Sequence, residues 1–97
     1  MKEGFDSPRD RQKLMFFVYL IASKFKKNTI SYVGYTNNLK KRLVLHNSSK
    51  GAKFTRGKKW KLVYFKKYDK KNIAMKEEYK FKKNYILRNK IKLGKKI

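Results

Sequence analysis

The longest apolar run in the chain is LMFFVYLIA, Leu14 to Ala22, and no other segment constrains the fold as strongly. It is far shorter than the roughly 20 residues that span a bilayer. No small-residue cleavage pattern follows it, so it does not read as a secretory signal. Its β-branched and aromatic content reads as a strand over Met15–Ser23, buried on both faces. A chain of 97 residues builds one small core, and this strand must lie in it.

The remaining segments fall into order around that strand. KFKKNT is a lysine-rich connection in which Asn28 favours a turn. ISYVGYT, Ile30–Thr36, is a second strand that forms an antiparallel hairpin with the first. Thr36 or Asn37 caps a helix running to about Asn47. NSSKGAKFTRGKK is a loop, and WKLVYFKKY, Trp60–Tyr68, is a third strand. A charged helical pattern runs from Lys71 to about Arg88, and NKIKLGKKI is a short extension or a second small helix. The expectation is an α+β fold of order β-β-α-β-α(-α), with residues 14–97 forming one domain. Residues 1–13, polar and holding the only proline, read as an N-terminal arm.

Charge narrows the function. Twenty-nine basic residues against six acidic ones give a formal net charge of +23, which opposes folding by self-repulsion and implies an anionic partner. With 15% aromatic residues the chain is too rich in core material for a disordered basic tail, so nucleic acid is the expected partner rather than a membrane surface. Glu3, Asp6 and Asp10 lie in the arm, leaving Asp69, Glu77 and Glu78 for the folded part. A two-metal site built from three or four converging carboxylates is therefore not expected. The chain has no cysteine, which removes disulfides, thiolate metal sites and cysteine nucleophiles, and fits a reducing, cytoplasmic setting.

Three groups of residues carry candidate chemistry. On the first helix, Arg42 and the only histidine, His46, share an arc with Leu39 and Leu43. Arg42 either stacks its stem over the sheet or grips a phosphate with its planar fork. On the last helix Ala74, Phe81 and Tyr85 line one arc, Met75, Tyr79 and Ile86 another, and Glu78 projects between them. That carboxylate either pairs with Lys82 at i+4 or serves as a ligand for a hard divalent ion. Tyr19 and Tyr32, on the first two strands, are close enough in a hairpin to share a site, although tyrosines also pack core edges with the hydroxyl wet.

The segments FVYLI, SYVGYTNNLKKRLVLHNSSKGAKFTR, WKLVYF and AMKEEYKFK, in this order, resemble the GIY-YIG endonuclease domain. The likeness is to small stand-alone proteins related to the catalytic domain of the nucleotide-excision-repair incision subunit. The resemblance implies a small three-stranded antiparallel sheet flanked by helices. It implies hydrolysis of DNA phosphodiesters, with Mg²⁺ or Mn²⁺ held by Glu78, a tyrosine (Tyr19 or Tyr32) as general base, Arg42 on the phosphate and His46 handling the proton. It also implies that Gly34 lets the backbone approach closely beside the site. Phe17-Val18 replace the Gly-Ile of the first motif, and Tyr35 stands where some members carry lysine, a role left to Lys53 or another lysine. In the glycine-bearing loop, Lys53, Thr55 and Arg56 are candidate phosphate contacts. Branched or damaged DNA is the expected substrate class, with nucleoid association if the source is bacterial and a protein partner for targeting. The rival reading is a basic nucleic-acid-binding module of the same fold without turnover.

Overall fold

The computed structural model describes residues 14–92; the expected N-terminal arm and the last five positions lie outside them. Three strands, β1 (Phe16–Phe25), β2 (Asn28–Thr36) and β3 (Lys61–Tyr68), form an antiparallel sheet in the order β2-β1-β3. Three helices complete it: α1 (Leu39–Asn47), α2 (Lys71–Lys83) and α3 (Tyr85–Lys92). The α+β class and the element order are those expected.

The apolar run is the central strand, paired on both edges, which is why it tolerates no polar alternation. Its side chains alternate between two faces. Val18 and Leu20 face α2 and α3, in a core with Val33, Ala74, Phe81 and Ile91. Tyr19 and Ile21 face the other way, packing with Trp60, Tyr32, Leu39 and Leu43 beneath α1. The pairing of β1 with β3 slips between Leu20 and Ile21, a bulge in the ladder on that edge.

Local chemistry moved several boundaries. The hairpin turn is two residues long, and Lys26, not Asn28, takes the left-handed backbone (φ 60°) while Asn28 already pairs with Phe25. Asn38 caps α1, its Oδ1 accepting from the Lys41 amide at 3.1 Å, and Thr36 Oγ1 accepts from the Asn38 amide. Thr36 thus makes the turn and the next asparagine but one makes the cap. The long charged helix is two helices. Asn84 ends α2 and its Oδ1 then accepts from the Leu87 amide, so one residue closes one helix and opens the next. The expected apolar arcs only partly hold. Ala74 and Phe81 are buried, whereas Met75, Tyr79, Tyr85 and Ile86 are exposed. No helix among the described residues is long and apolar enough to cross a membrane.

Candidate active site

The strand register makes the tyrosine pair. Tyr19 on β1 sits opposite Gly34 on β2, and Ile21 opposite Tyr32. Tyr19 and Tyr32 are therefore diagonal neighbours on the α1 face, a spacing within reach of aromatic side chains. The phenol of Tyr19 lies across Gly34, where an added Cβ would stand 2.6 Å from its Cζ. Gly34 is itself buried, so the space left by its missing side chain holds Tyr19. The close approach at Gly34 in this structure is made by the Tyr19 ring.

His46 emerges from the last turn of α1 directly under these rings and is completely buried. Its Nε2 lies 2.8 Å from the Tyr19 hydroxyl and its Nδ1 2.9 Å from Thr55 Oγ1. The direction of each bond follows from proton counting. The Thr55 hydroxyl has one hydrogen, and it donates that to the Ala52 carbonyl at 2.7 Å. Toward His46 it can only accept, so Nδ1 carries the imidazole proton. In the neutral ring Nε2 is then bare, and the Tyr19 hydroxyl donates to it. Burial first, and the Arg42 charge second, hold the imidazole below its ordinary range, which keeps this neutral tautomer in place. Burial likewise pushes the Tyr19 hydroxyl above its ordinary value. The adjacent Arg42 opposes that shift, while Tyr32 and Glu78 reinforce it by charge.

The network is closed from the loop side. Thr55 ends a 3₁₀ turn, Lys53–Thr55, and is completely buried. Its carbonyl accepts from Trp60 Nε1 at 2.9 Å. Asn47, at the end of α1, bonds the backbone of Trp60 through its side chain. Gly51 passes so close to His46 that an added Cβ would lie 3.0 Å from Cε1. Thr55 is thus withdrawn from the expected set of phosphate contacts: its hydroxyl is fully engaged and no surface of it remains. Lys53 and Arg56, on either side of the turn, stay exposed.

Arg42 is half-buried between two environments. Its stem lies with Tyr19, Leu39 and Leu43. It also borders an open cleft of about 380 Å³ shared with Phe16, Tyr35, Asn37 and Lys71. Its Nε is buried without a hydrogen-bond partner among the described residues. Lys71, from the start of α2, lines the same cleft as Arg42. Nothing in the spacing singled it out. Glu78 stands further off and acts on Tyr19 by charge. Its side chain is 17% exposed, with Oε2 3.4 Å from Lys82 Nζ. Both readings of the carboxylate therefore retain a basis, since the pair is long and engages one oxygen.

The family model of the GIY-YIG catalytic domain matches residues 15–92. The chain belongs to the GIY-YIG family. A UPF0213 protein of Clostridium perfringens is 46% identical over 70 residues, 71% of this chain and 72% of the relative. One of Oceanobacillus iheyensis is 52% identical over 52 residues, 53% of this chain and 60% of the relative. One of Bacillus pumilus is 52% identical over 52 residues, 53% of each chain. The matched segment thus spans between half and two thirds of the length of the last two. No solved structure matches the chain.

Membership makes this a nuclease-type domain, of a family whose nucleases are generally metal-dependent. The residues present suit a hard ion held by one carboxylate rather than by a protein cage. Among the described residues no three His, Asp or Glu side chains gather, and both nitrogens of His46 are engaged. Glu78 is the carboxylate whose charge reaches Tyr19, and a single carboxylate suits an ion which keeps water and substrate oxygens as its other ligands.

Proposed function

We propose that this GIY-YIG domain hydrolyses phosphodiester bonds in DNA with Mg²⁺ or Mn²⁺ at Glu78. The observation that carries the proposal is the one-directional chain of hydrogen bonds from Tyr19 through His46 to Thr55. A buried phenol whose ionisation is disfavoured is a poor base alone, but it works as a relay. As water attacks phosphorus, its proton passes to the Tyr19 oxygen, which substrate binding must first uncover because Tyr19 is only 2% exposed, while the Tyr19 proton passes to His46 Nε2. No free phenolate forms, and the imidazole, held neutral beforehand, ends charged with Nδ1–H still donating to Thr55. Arg42, half-buried beside an open cleft, binds the non-bridging oxygens and the charge that grows on them. Lys71 on the same cleft adds a second cation. A bound divalent ion would stabilise the leaving oxygen and phosphate charge. Lys53 and Arg56 bind flanking phosphates.

The experiment uses branched, nicked and linear DNA with Mg²⁺ or Mn²⁺. Cleavage by the native chain, abolished in Glu78→Ala with DNA binding retained, is the expected result. The Lys82–Glu78 ion pair favours a second reading, in which the ammonium stands where the metal would and the domain only binds nucleic acid. Salt-sensitive binding without cutting on any substrate, with either metal, would establish that reading instead.

A further inference from the structure

The 3₁₀ turn inverts the usual order of burial. Thr55 is completely buried, while its neighbour Phe54 is 51% exposed, although a phenyl ring gains far more than a threonine from leaving water. The turn is pinned by the hydroxyl and carbonyl of Thr55, and Phe54 is carried outward as a consequence. It is not left loose there. Its ring lies within 20° of parallel to Tyr32 at 6.1 Å and leans on Trp60 at 6.2 Å. Lys58 Nζ sits 5.4 Å from the Phe54 ring centroid and 5.2 Å from that of the exposed Phe25, and donates to the Phe54 carbonyl at 3.2 Å. Tyr32, in turn, stands edge-on to His46. The result is an aromatic surface, braced by neighbouring rings before any ligand arrives, bordered by the Lys58 ammonium and one ring away from the proton relay.

We infer that Phe54, with Lys58, is a stacking platform for an unpaired nucleobase next to the phosphate bound at the active site. The occupant must offer a flat π-face and negative charge, because the platform is apolar in its plane and basic around its rim. A nucleotide in a single strand or flap has both. Bases inside a duplex hide their faces against each other, so the platform discriminates by strandedness and tolerates any base, since each has a face to stack. The Lys58 ammonium, which lies over the Phe54 and Phe25 rings, swings aside for the base and adds a cation beside the backbone phosphate. This inference deepens the nuclease reading and rests on it for the identity of the adjacent phosphate.

The test separates the two. Binding is measured in EDTA, where no metal-dependent cutting occurs, to a single-stranded oligonucleotide with 2-aminopurine at its centre and to the same strand in a duplex. The native chain is expected to quench the single-stranded probe. Phe54→Ala and Phe54→Leu are expected to lose that quenching and about 5- to 100-fold in single-strand affinity, with duplex affinity changed less than twofold. Phe54→Trp is expected to retain both, and an unchanged thermal transition shows each variant folded. Equal weakening toward both probes, or none in the folded Leu variant, overturns the platform whatever the nuclease does. Phe54-dependent quenching in a chain that cuts no DNA with Mg²⁺ or Mn²⁺ overturns the nuclease reading and leaves the platform standing.

Discussion

The two faces of the central strand are built on different physics, although they alternate residue by residue. Val18 and Leu20 bury apolar area against α2 and α3. Such packing depends on volume and shape and accepts another apolar residue of similar size. Tyr19, between them, enters a face where His46 and Thr55 are as fully buried as Leu20, and where each buried polar atom must be a donor or an acceptor in a stated direction. That face accepts few replacements. One side holds the domain together, and the other uses the resulting rigidity to hold a phenol, an imidazole and a guanidinium in register. Five substitutions or titrations test that division, in falling order of expected effect.

Leu20→Ala should cost about 2–5 kcal/mol of stability, read from urea unfolding, while the folded fraction keeps its DNA cleavage within a few-fold. A selective loss of cleavage in the folded fraction would erase the distinction between the faces. Arg42→Ala should do the opposite, slowing cleavage about 10²- to 10³-fold with a thermal midpoint near that of the native chain. A large fall in that midpoint would move Arg42 to the structural side.

Thr55→Val keeps the shape but strands the Nδ1–H of His46, at a cost of about 1–3 kcal/mol. It also frees the imidazole to adopt the tautomer that cannot accept from Tyr19, so cleavage should fall roughly tenfold or more; Thr55→Ser should restore both. Because the chain has one histidine, nitrogen NMR of its imidazole reads the tautomer without assignment. Nδ1 should carry the proton in the native chain and lose that preference in Thr55→Val.

Acid should act on the same face. The folded imidazole is held below its ordinary value of 6.5, so the unfolded chain binds a proton more readily. The stability linked to His46 is complete above pH ~6.5 and declines as pH falls through that value toward the folded one. Cleavage should fall with it, since a protonated Nε2 cannot take the Tyr19 proton. In the opposite direction, Tyr19 and Tyr68 both have hydroxyls raised above the ordinary 10.0. Stability linked to them should be lost as pH rises past about 10. A profile of unfolding against pH, with His46→Gln flattening the acid limb, checks the first claim. The smallest effect belongs to Glu77→Gln. Its pair with the exposed Lys80 is a surface contact of 3.4 Å, and its loss should change stability by less than about 0.5 kcal/mol and cleavage not at all.

Much of this arrangement was legible because its signals are local or periodic. The Tyr-x-Gly step places a tyrosine and a gap on one face of a strand. Arg42 and His46 lie one helical turn apart. Alternation and helical spacing are properties of the backbone, so they survive any particular packing. Thr55 was legible as a residue of interest but was assigned to solvent, because a loop residue reads as exposed until the partner that buries it is known. Gly51 and Lys71 left no pattern at all. Each matters only through the segment that happens to lie beside it.

From the order of residues alone came the element sequence, the central strand, the expectation of a nucleic-acid partner, and the shared face of Arg42 and His46, because each depends on neighbours within a turn or a strand. Only the tertiary structure decided which way the protons point between Tyr19, His46 and Thr55, that Phe54 faces outward, and that Lys71 joins Arg42. Those facts depend on which atom of a distant segment fills a given hydrogen-bonding direction, and no spacing along the chain encodes that.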